Sequence, residues 1–321
     1  MKVLSEKEIS NLSLSERKKY YQDLKDYCLS FKANPNISIG QKLISKISPI
    51  QRNFDYEVIG AENLPKNGAV IVSNHSNSHD FFTALESFNN LGLPVSVFAA
   101  NDDLNFLSNN VFTFANATLV NREDKDSCRN GLFELTNKII NNNYGVIFGE
   151  STWNLHPYKE MNVLKVGAAR SAGISEKQIV PTIFEYVEVP NQCNKEKELY
   201  TKCIIKFGKP ISIDINKDLF LQMLNVENIM IKMRDEIWED IGIFKNGKKQ
   251  VDPLIYVNHT WLKKFDALAF MYDSESEFKY LYFRENDLKE NEYHIDENGR
   301  FVPGIIKKED KAKVLLPIKN K

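Results

Sequence analysis

The sequence predicts an α/β fold: a largely parallel central sheet flanked by helices, with an N-terminal helical segment and a small C-terminal β-rich appendage. Three observations carry this. Between residues 51 and 215, short apolar runs rich in Val, Ile and Phe alternate with helix-like stretches, as in a layered sheet with crossover helices. The chain has 321 residues, 42% hydrophobic and 26% charged, enough to bury a substantial core. Beyond residue 253, helical periodicity gives way to strand-like segments.

Residues 1–50 read as helical and moderately basic. Ser13 and Glu16 have the spacing of a capping box, and the following stretch, 14–31, sets Leu14, Tyr20, Tyr21, Leu24, Cys28 and Phe31 at roughly helical intervals. That face suits a helix packed on the core. Its alternative is a surface that leans on a membrane, since residues 1–46 carry nine basic and five acidic side chains. The runs GAVIVSN (68–74), VSVFAAN (95–101), ATLVN (117–121), YGVIFGE (144–150), QIVPTIFEYVEV (178–189) and TKCIIKFGKPISI (201–213) read as strands. Residues 81–92, 127–143, 163–174 and 218–241 read as helices. KNGKKQVDP (245–253) is a polar break with Gly and Pro. It divides a domain at 51–245 from an appendage at 250–321, in which IYVNHTWL, FKYLYFRE, EYHI and FVPGII read as strands. Asn298-Gly299 is the hairpin turn signal between the last two.

Composition excludes several classes. A net charge of −1 gives no pull toward nucleic acid. Cys28, Cys128, Cys193 and Cys203 are scattered without metal-ligand spacing, which suits a reducing cytoplasm. The N-terminal MKVLSEKEIS is too polar for a signal peptide, and no run approaches the ~20 apolar residues of a membrane span. The expected location is the cytoplasm, with attachment to a membrane surface as the most that the sequence allows. Six lysines against two acids in IIKKEDKAKVLLPIKNK read as a solvated lysine tail or, if this segment and residues 1–46 face one way, as a surface for an anionic bilayer.

The stretch IVSNHSNSHDFF (71–82) interrupts an apolar run with eight polar residues. In open parallel sheets, functional groups collect where strands end and loops lead into helices. His75 and Asp80 share such a connection, and a bend there sets a carboxylate on one imidazole nitrogen and leaves the other to take a proton. This is the base-and-orienter half of a Ser-His-Asp triad without its serine, so a substrate hydroxyl attacks directly. Other readings stand beside it: a solvated loop histidine, Asp80 as a helix N-cap, or His75, His79 and Asp80 as metal ligands of a hydrolase. No second acidic or His cluster completes such a metal site. VNHTWLKKFD (257–266) also begins Asn-His, but Asp266 lies seven residues beyond His259 and reads as coincidence.

NHSNSHD (74–80) resembles the NHxxxxD signature of the glycerophospholipid acyltransferase family, enzymes that acylate glycerol 3-phosphate and lysophosphatidic acid. NATLVNRED (116–124) resembles the family's second block, VIFGEST (146–152) its third, usually FPEGT, and IVPTIFE (179–185) its fourth. KVGAARSAG (165–173) and FGKPI (207–211) sit where the family has comparable stretches. The resemblance covers residues 52–215. It implies His75 as general base, Asp80 as its partner, Arg122 as the cation for an acceptor phosphate and Glu150 as a residue that holds the acceptor. Ser151, Thr152 and Trp153 fall in the same substrate-binding block, and Pro181 shapes a strand end.

Departures from the pattern redirect the acceptor. Gly149 replaces the family's proline, Ser151 its glycine, Trp153 its arginine and Thr118 a glycine of the second block; Thr152 is retained. Trp153 and Asn154 suit stacking and a hydrogen bond to a sugar or other polyol. The reading is therefore transfer of an acyl group from a thioester, on coenzyme A or acyl carrier protein, to a hydroxyl of a glycerol-phosphate-like or polyol acceptor. No metal and no cofactor beyond the thioester co-substrate is needed. Backbone N–H groups of residues 149–152 are the expected oxyanion donors. A catalytically inactive lipid-binding or scaffold protein on the same fold is the rival from another class.

Overall fold

A computed structural model describes residues 3–51, 54–75, 79–101, 106–151, 161–190 and 199–240, and the short strands 244–245, 248–249, 293–295 and 301–303. Two capped helices open the chain. Ser5 and Glu8 close a capping box on α1 (Glu6–Ser10), and Ser13 and Glu16 close the expected one on α2 (Leu14–Leu29). Tyr20, Tyr21, Leu24 and Cys28 form the buried stripe of α2 and pack with Phe133 and Ile174. Burial of this kind raises the Cys28 thiol to about 12. Leu14 stays exposed, because it stands at the helix entrance beyond the reach of the core. A third helix, α3 (Ile39–Gln51), follows.

The centre is a seven-stranded sheet. Its strands are β1 (Phe54–Ile59), β2 (Ala69–Ser73), β3 (Val95–Ala100), β4 (Thr118–Val120), β5 (Tyr144–Phe148), β6 (Ile179–Pro190) and β7 (Leu199–Phe207), in the order β1-β7-β6-β2-β5-β3-β4. Five strands, β6 through β4, are mutually parallel; β7 pairs antiparallel with β6, and β1 parallel with β7. The sheet is thus largely parallel, as expected. Its crossover helices are α4 (Asp80–Asn90), α5 (Phe106–Phe114), α6 (Lys125–Ile140) and α7 (Gly167–Ser175), with α8 (Leu219–Asp240) after β7.

Central strand β2 shows why the sheet sits where it does. All five of its residues are buried, as for a parallel strand covered on both faces. Val70 and Val72 face the layer that contains Leu135, Ala169 and Met230, from α6, α7 and α8. Ala69 and Ile71 face the layer of α3 and α4, with Ile44, Leu85 and Phe88. Fully burying each such aliphatic side chain is worth about 1.5–3 kcal/mol.

Two elements, β1 and α5, lie where the sequence reading places none. Strand β1 does alternate, with Tyr56 and Val58 packed on one layer, but β7 on the far side of the chain is what gives it a partner. The polar break after α8 contains the pair β8 (Phe244–Lys245) and β9 (Lys248–Lys249). In the expected appendage, β10 (Tyr293–Ile295) pairs antiparallel with β11 (Phe301–Pro303). The turn Asn298-Gly299, the segments IYVNHTWL and FKYLYFRE, and the His259–Asp266 stretch lie outside the described residues.

Candidate active site

Strands β2 and β5 are neighbours, with Ser73 opposite Phe148. The chains leaving them run side by side at one strand spacing, about 4.8 Å. Their exits are tied together. The Gly149 N–H donates to the Ser73 carbonyl at 2.9 Å, and the Lys165 N–H to the Gly149 carbonyl at 2.9 Å. On the other side Asn74 fixes the β2 exit to β6: its Nδ2 donates to the Phe184 carbonyl at 3.0 Å, and its Oδ1 accepts the Phe184 N–H at 2.8 Å. Asn74 therefore uses both ends of its amide on one backbone residue.

His75 follows directly. Its Nδ1 lies 2.8 Å from Asp80 Oδ2, its side chain is 22% exposed, and the Asp80 carboxylate is fully buried. A carboxylate oxygen accepts, so Nδ1 is the donor in this contact. The imidazole stacks on Phe148, with centroids 4.3 Å apart and planes 17° off parallel. The ring is thus held by its edge and by one face. Asp80 is the first residue of α4, with His79 at the N-cap position and no side-chain cap bond there. This corrects the N-cap alternative for Asp80, whose carboxylate instead meets the imidazole while lying in the favourable field of a helix start.

Behind Asp80 stands Tyr186 of β6. Its buried hydroxyl donates to Thr83 Oγ1 at 3.1 Å. Burial holds the phenol well above its ordinary range, and the charges of Asp80 and Cys203 push the same way, so it remains a proton donor.

Glu150 is only 1% exposed. One carboxylate oxygen accepts the His75 N–H at 2.9 Å and the other the Asn162 N–H at 2.6 Å. These contacts clamp the His75 backbone to the segment after residue 160, which gives Glu150 a second task beside the acceptor role expected of it. The expectation of oxyanion donors at 149–152 is corrected in part. The Gly149 N–H is taken by Ser73, and the Ser151 N–H donates to the Phe148 carbonyl at 2.9 Å. Gly149 has no space for the family's proline: a Cβ there would stand 2.8 Å from Leu164 Cδ2 and 2.9 Å from Val72 Cγ1, and its N–H is needed. Ser151 has φ +61, the left-handed region, which accounts for a glycine being usual at that point.

Arg122 is exposed in the turn after β4, on the same end of the sheet as His75 but three strands away, roughly 14 Å at the usual strand spacing. The fold therefore joins His75, Asp80 and Glu150 closely and keeps Arg122 at the rim. Thr152 and Trp153 lie outside the described residues. Among the described residues, no three His, Cys, Asp or Glu side chains form a group able to hold a metal ion, and no helix is long and apolar enough to cross a membrane. The sequence reading assigns nothing to Asn74, Phe148, Asn162 or Tyr186. Asn74 sits inside the motif itself; Phe148 reaches His75 through the β2–β5 pairing, Asn162 meets the site through Glu150, and Tyr186 through Thr83 of α4.

Residues 55–185 match the family model described as Acyltransferase. Among solved structures, one similar to this chain is the 1-acyl-sn-glycerophosphate (LPA) acyltransferase PlsC from Thermotoga maritima, at 17% identity and a TM-score of 0.42, over 71% of this chain and 85% of that one. No curated protein matches.

Proposed function

We propose, from the acyltransferase-family match of residues 55–185, that this chain transfers an acyl group from a thioester to a hydroxyl, with His75 as general base and Asp80 as its partner. The observation that carries this is the Nδ1–Oδ2 contact of 2.8 Å between a half-buried imidazole and a fully buried carboxylate. Nε2 of His75 takes the proton of the acceptor hydroxyl as its oxygen attacks the thioester carbonyl. Asp80 offsets the charge of the imidazolium that forms. The tetrahedral adduct collapses, the C–S bond breaks, and the imidazolium returns its proton to the departing sulfur. The products are an ester and a thiol. Glu150 supports this by holding the His75 backbone, and Phe148 by fixing the ring plane.

The donor is a thioester of coenzyme A or of acyl carrier protein. The acceptor is a glycerol-phosphate-like compound or another polyol, with Arg122 at the rim as the phosphate contact. A membrane-surface approach to a lipid acceptor is supported by α3. It leaves Ile39, Leu43 and Ile47 exposed at intervals of four residues, an apolar stripe on one side of the helix.

Release of free thiol from acyl-CoA or acyl carrier protein, measured with a panel of acceptors, tests this. Phosphorylated and unphosphorylated polyols are offered in solution, and a lysophospholipid is offered in anionic and neutral vesicles. Acceptor-dependent thiol release is expected with at least one of them. For a phosphorylated acceptor, Arg122→Ala should raise its KM about 10-fold, the magnitude of one exposed charge-assisted contact, and leave kcat near wild type. No turnover with any acceptor would overturn the proposal.

A further inference from the structure

We infer that Glu227 of α8 is a positioning residue of the site, which holds the segment 161–165 against Glu150 and, through Glu150, the backbone of His75. The inference rests on the reading of His75 as the base. The segment lies in no helix or strand, yet Met161, Asn162 and Leu164 are buried. Its N–H groups therefore need acceptors from other parts of the chain. The Asn162 N–H donates to Glu150 Oε2 at 2.6 Å, the Leu164 N–H to Glu227 Oε2 at 3.0 Å, and the Lys165 N–H to the Gly149 carbonyl at 2.9 Å. Two of the three end on carboxylates, where the bond is charge-assisted and stronger than a neutral one.

Helical periodicity places Glu227 for this contact. Met223, Val226 and Met230 belong to the buried stripe of α8, and Glu227, three residues before Met230, stands half-buried at its margin. Met161 and Leu164 enter the same core cluster as that stripe. Leu164 is thus gripped from two sides. Glu227 takes its N–H, and its Cδ2 packs at the β5 exit, 2.8 Å from where a Gly149 Cβ would stand. The line of contacts runs from Glu227 through Leu164 and Asn162 to Glu150, whose other oxygen accepts the His75 N–H at 2.9 Å. Leu164 is only 2% exposed, so water does not replace a lost acceptor in place. The segment must shift to satisfy that N–H, and Asn162, two residues earlier, shifts with it. Glu150 then loses one of its two backbone donors, and His75 loses the fixed anchor of its backbone.

Glu227→Leu in the full-length chain tests this, since leucine keeps the bulk but accepts no hydrogen bond. With a thioester and an accepted hydroxyl, kcat should fall roughly 10-fold, as for one charge-assisted hydrogen bond, with both KM values unchanged. Glu227→Gln retains an oxygen for the Leu164 N–H and should restore kcat to within about 3-fold of wild type. A second readout does not need activity. In ¹⁵N-labelled protein, the backbone amide signals of His75 and Asn162, which both donate to Glu150, should move in Glu227→Leu and return in Glu227→Gln. The Phe184 amide, held by Asn74, should stay in place in both. The wild-type chain covers the case in which Glu227→Leu does not fold: the amides of His75, Asn162 and Leu164 should show protection against hydrogen exchange within about 5-fold of one another, as members of one opening unit. Unmoved His75 and Asn162 signals in folded Glu227→Leu, or a wild-type His75 amide that exchanges independently of Leu164, would overturn the inference. If the wild-type chain transfers no acyl group, the proposed reaction falls, and the amide signals still decide the role of Glu227.

Discussion

His75→Ala should reduce acyl transfer by ~10²–10⁴-fold, the usual share of a positioned general base. The expectation comes from geometry. Nδ1 is committed to Asp80 at 2.8 Å, so the proton from the acceptor has Nε2 as its destination. Loss of the ring also removes a stacking partner from Phe148, but the Glu150 clamp binds the His75 backbone and survives the substitution. The folded state should therefore persist, as circular dichroism and thermal melting of the variant will show. His79→Ala provides the contrast, since the contact with the carboxylate belongs to His75, and it should retain activity within about 3-fold. A reversed pattern, with His79→Ala inactive and His75→Ala active, would move the base to His79.

Asp80→Asn should be nearly as severe, with a kcat loss of ~10²–10⁴-fold, the upper end being that of a serine-protease triad whose aspartate becomes asparagine. The amide fills the same volume but no longer offsets the imidazolium, and its NH₂ group set against Nδ1 favours the opposite tautomer. Stability should change by about 1 kcal/mol or less, because the substitution removes a buried charge while keeping its shape. The separation of the two readouts is what identifies Asp80 as an orienting group. Activity retained with a lowered melting temperature would leave it a purely structural residue.

Much of this was legible before any coordinates. Buried parallel strands announce themselves as continuous apolar runs, and β2, β3, β5 and β6 do so. The motif residues His75 and Asp80 lie five positions apart across a strand exit and a helix start, so local chain geometry alone suffices to join them. The less legible parts depend on strand order. Strand β1 is a six-residue segment with charged Glu57 exposed, and it becomes part of the sheet only by pairing with β7, some 150 residues later. Helix α5 has nine residues and Asn109-Asn110 at its centre, too short and too polar in the middle for periodicity to reveal. Glu150 reads from sequence as a group aimed at the acceptor, because a motif carries no record of which backbone N–H groups will face a carboxylate. The two it binds come from positions 75 residues before it and 12 after it. Tyr186 is invisible for the same reason: its position relative to Asp80 is set by the β2–β6 pairing that Asn74 locks in place.

The most direct test of the central claim, direct transfer from thioester to hydroxyl by a His75 base, is the fate of the acyl group in the absence of acceptor. The wild-type chain is incubated with an acyl thioester, first alone and then with an accepted polyol, and both the intact protein mass and the small-molecule products are read by mass spectrometry. The account predicts an unmodified protein mass in both cases, and an ester that forms only with acceptor present and retains an ¹⁸O label placed on the acceptor hydroxyl. A protein mass increased by the acyl group that is discharged on adding acceptor, or an ester that forms at the wild-type rate in His75→Ala, would contradict it.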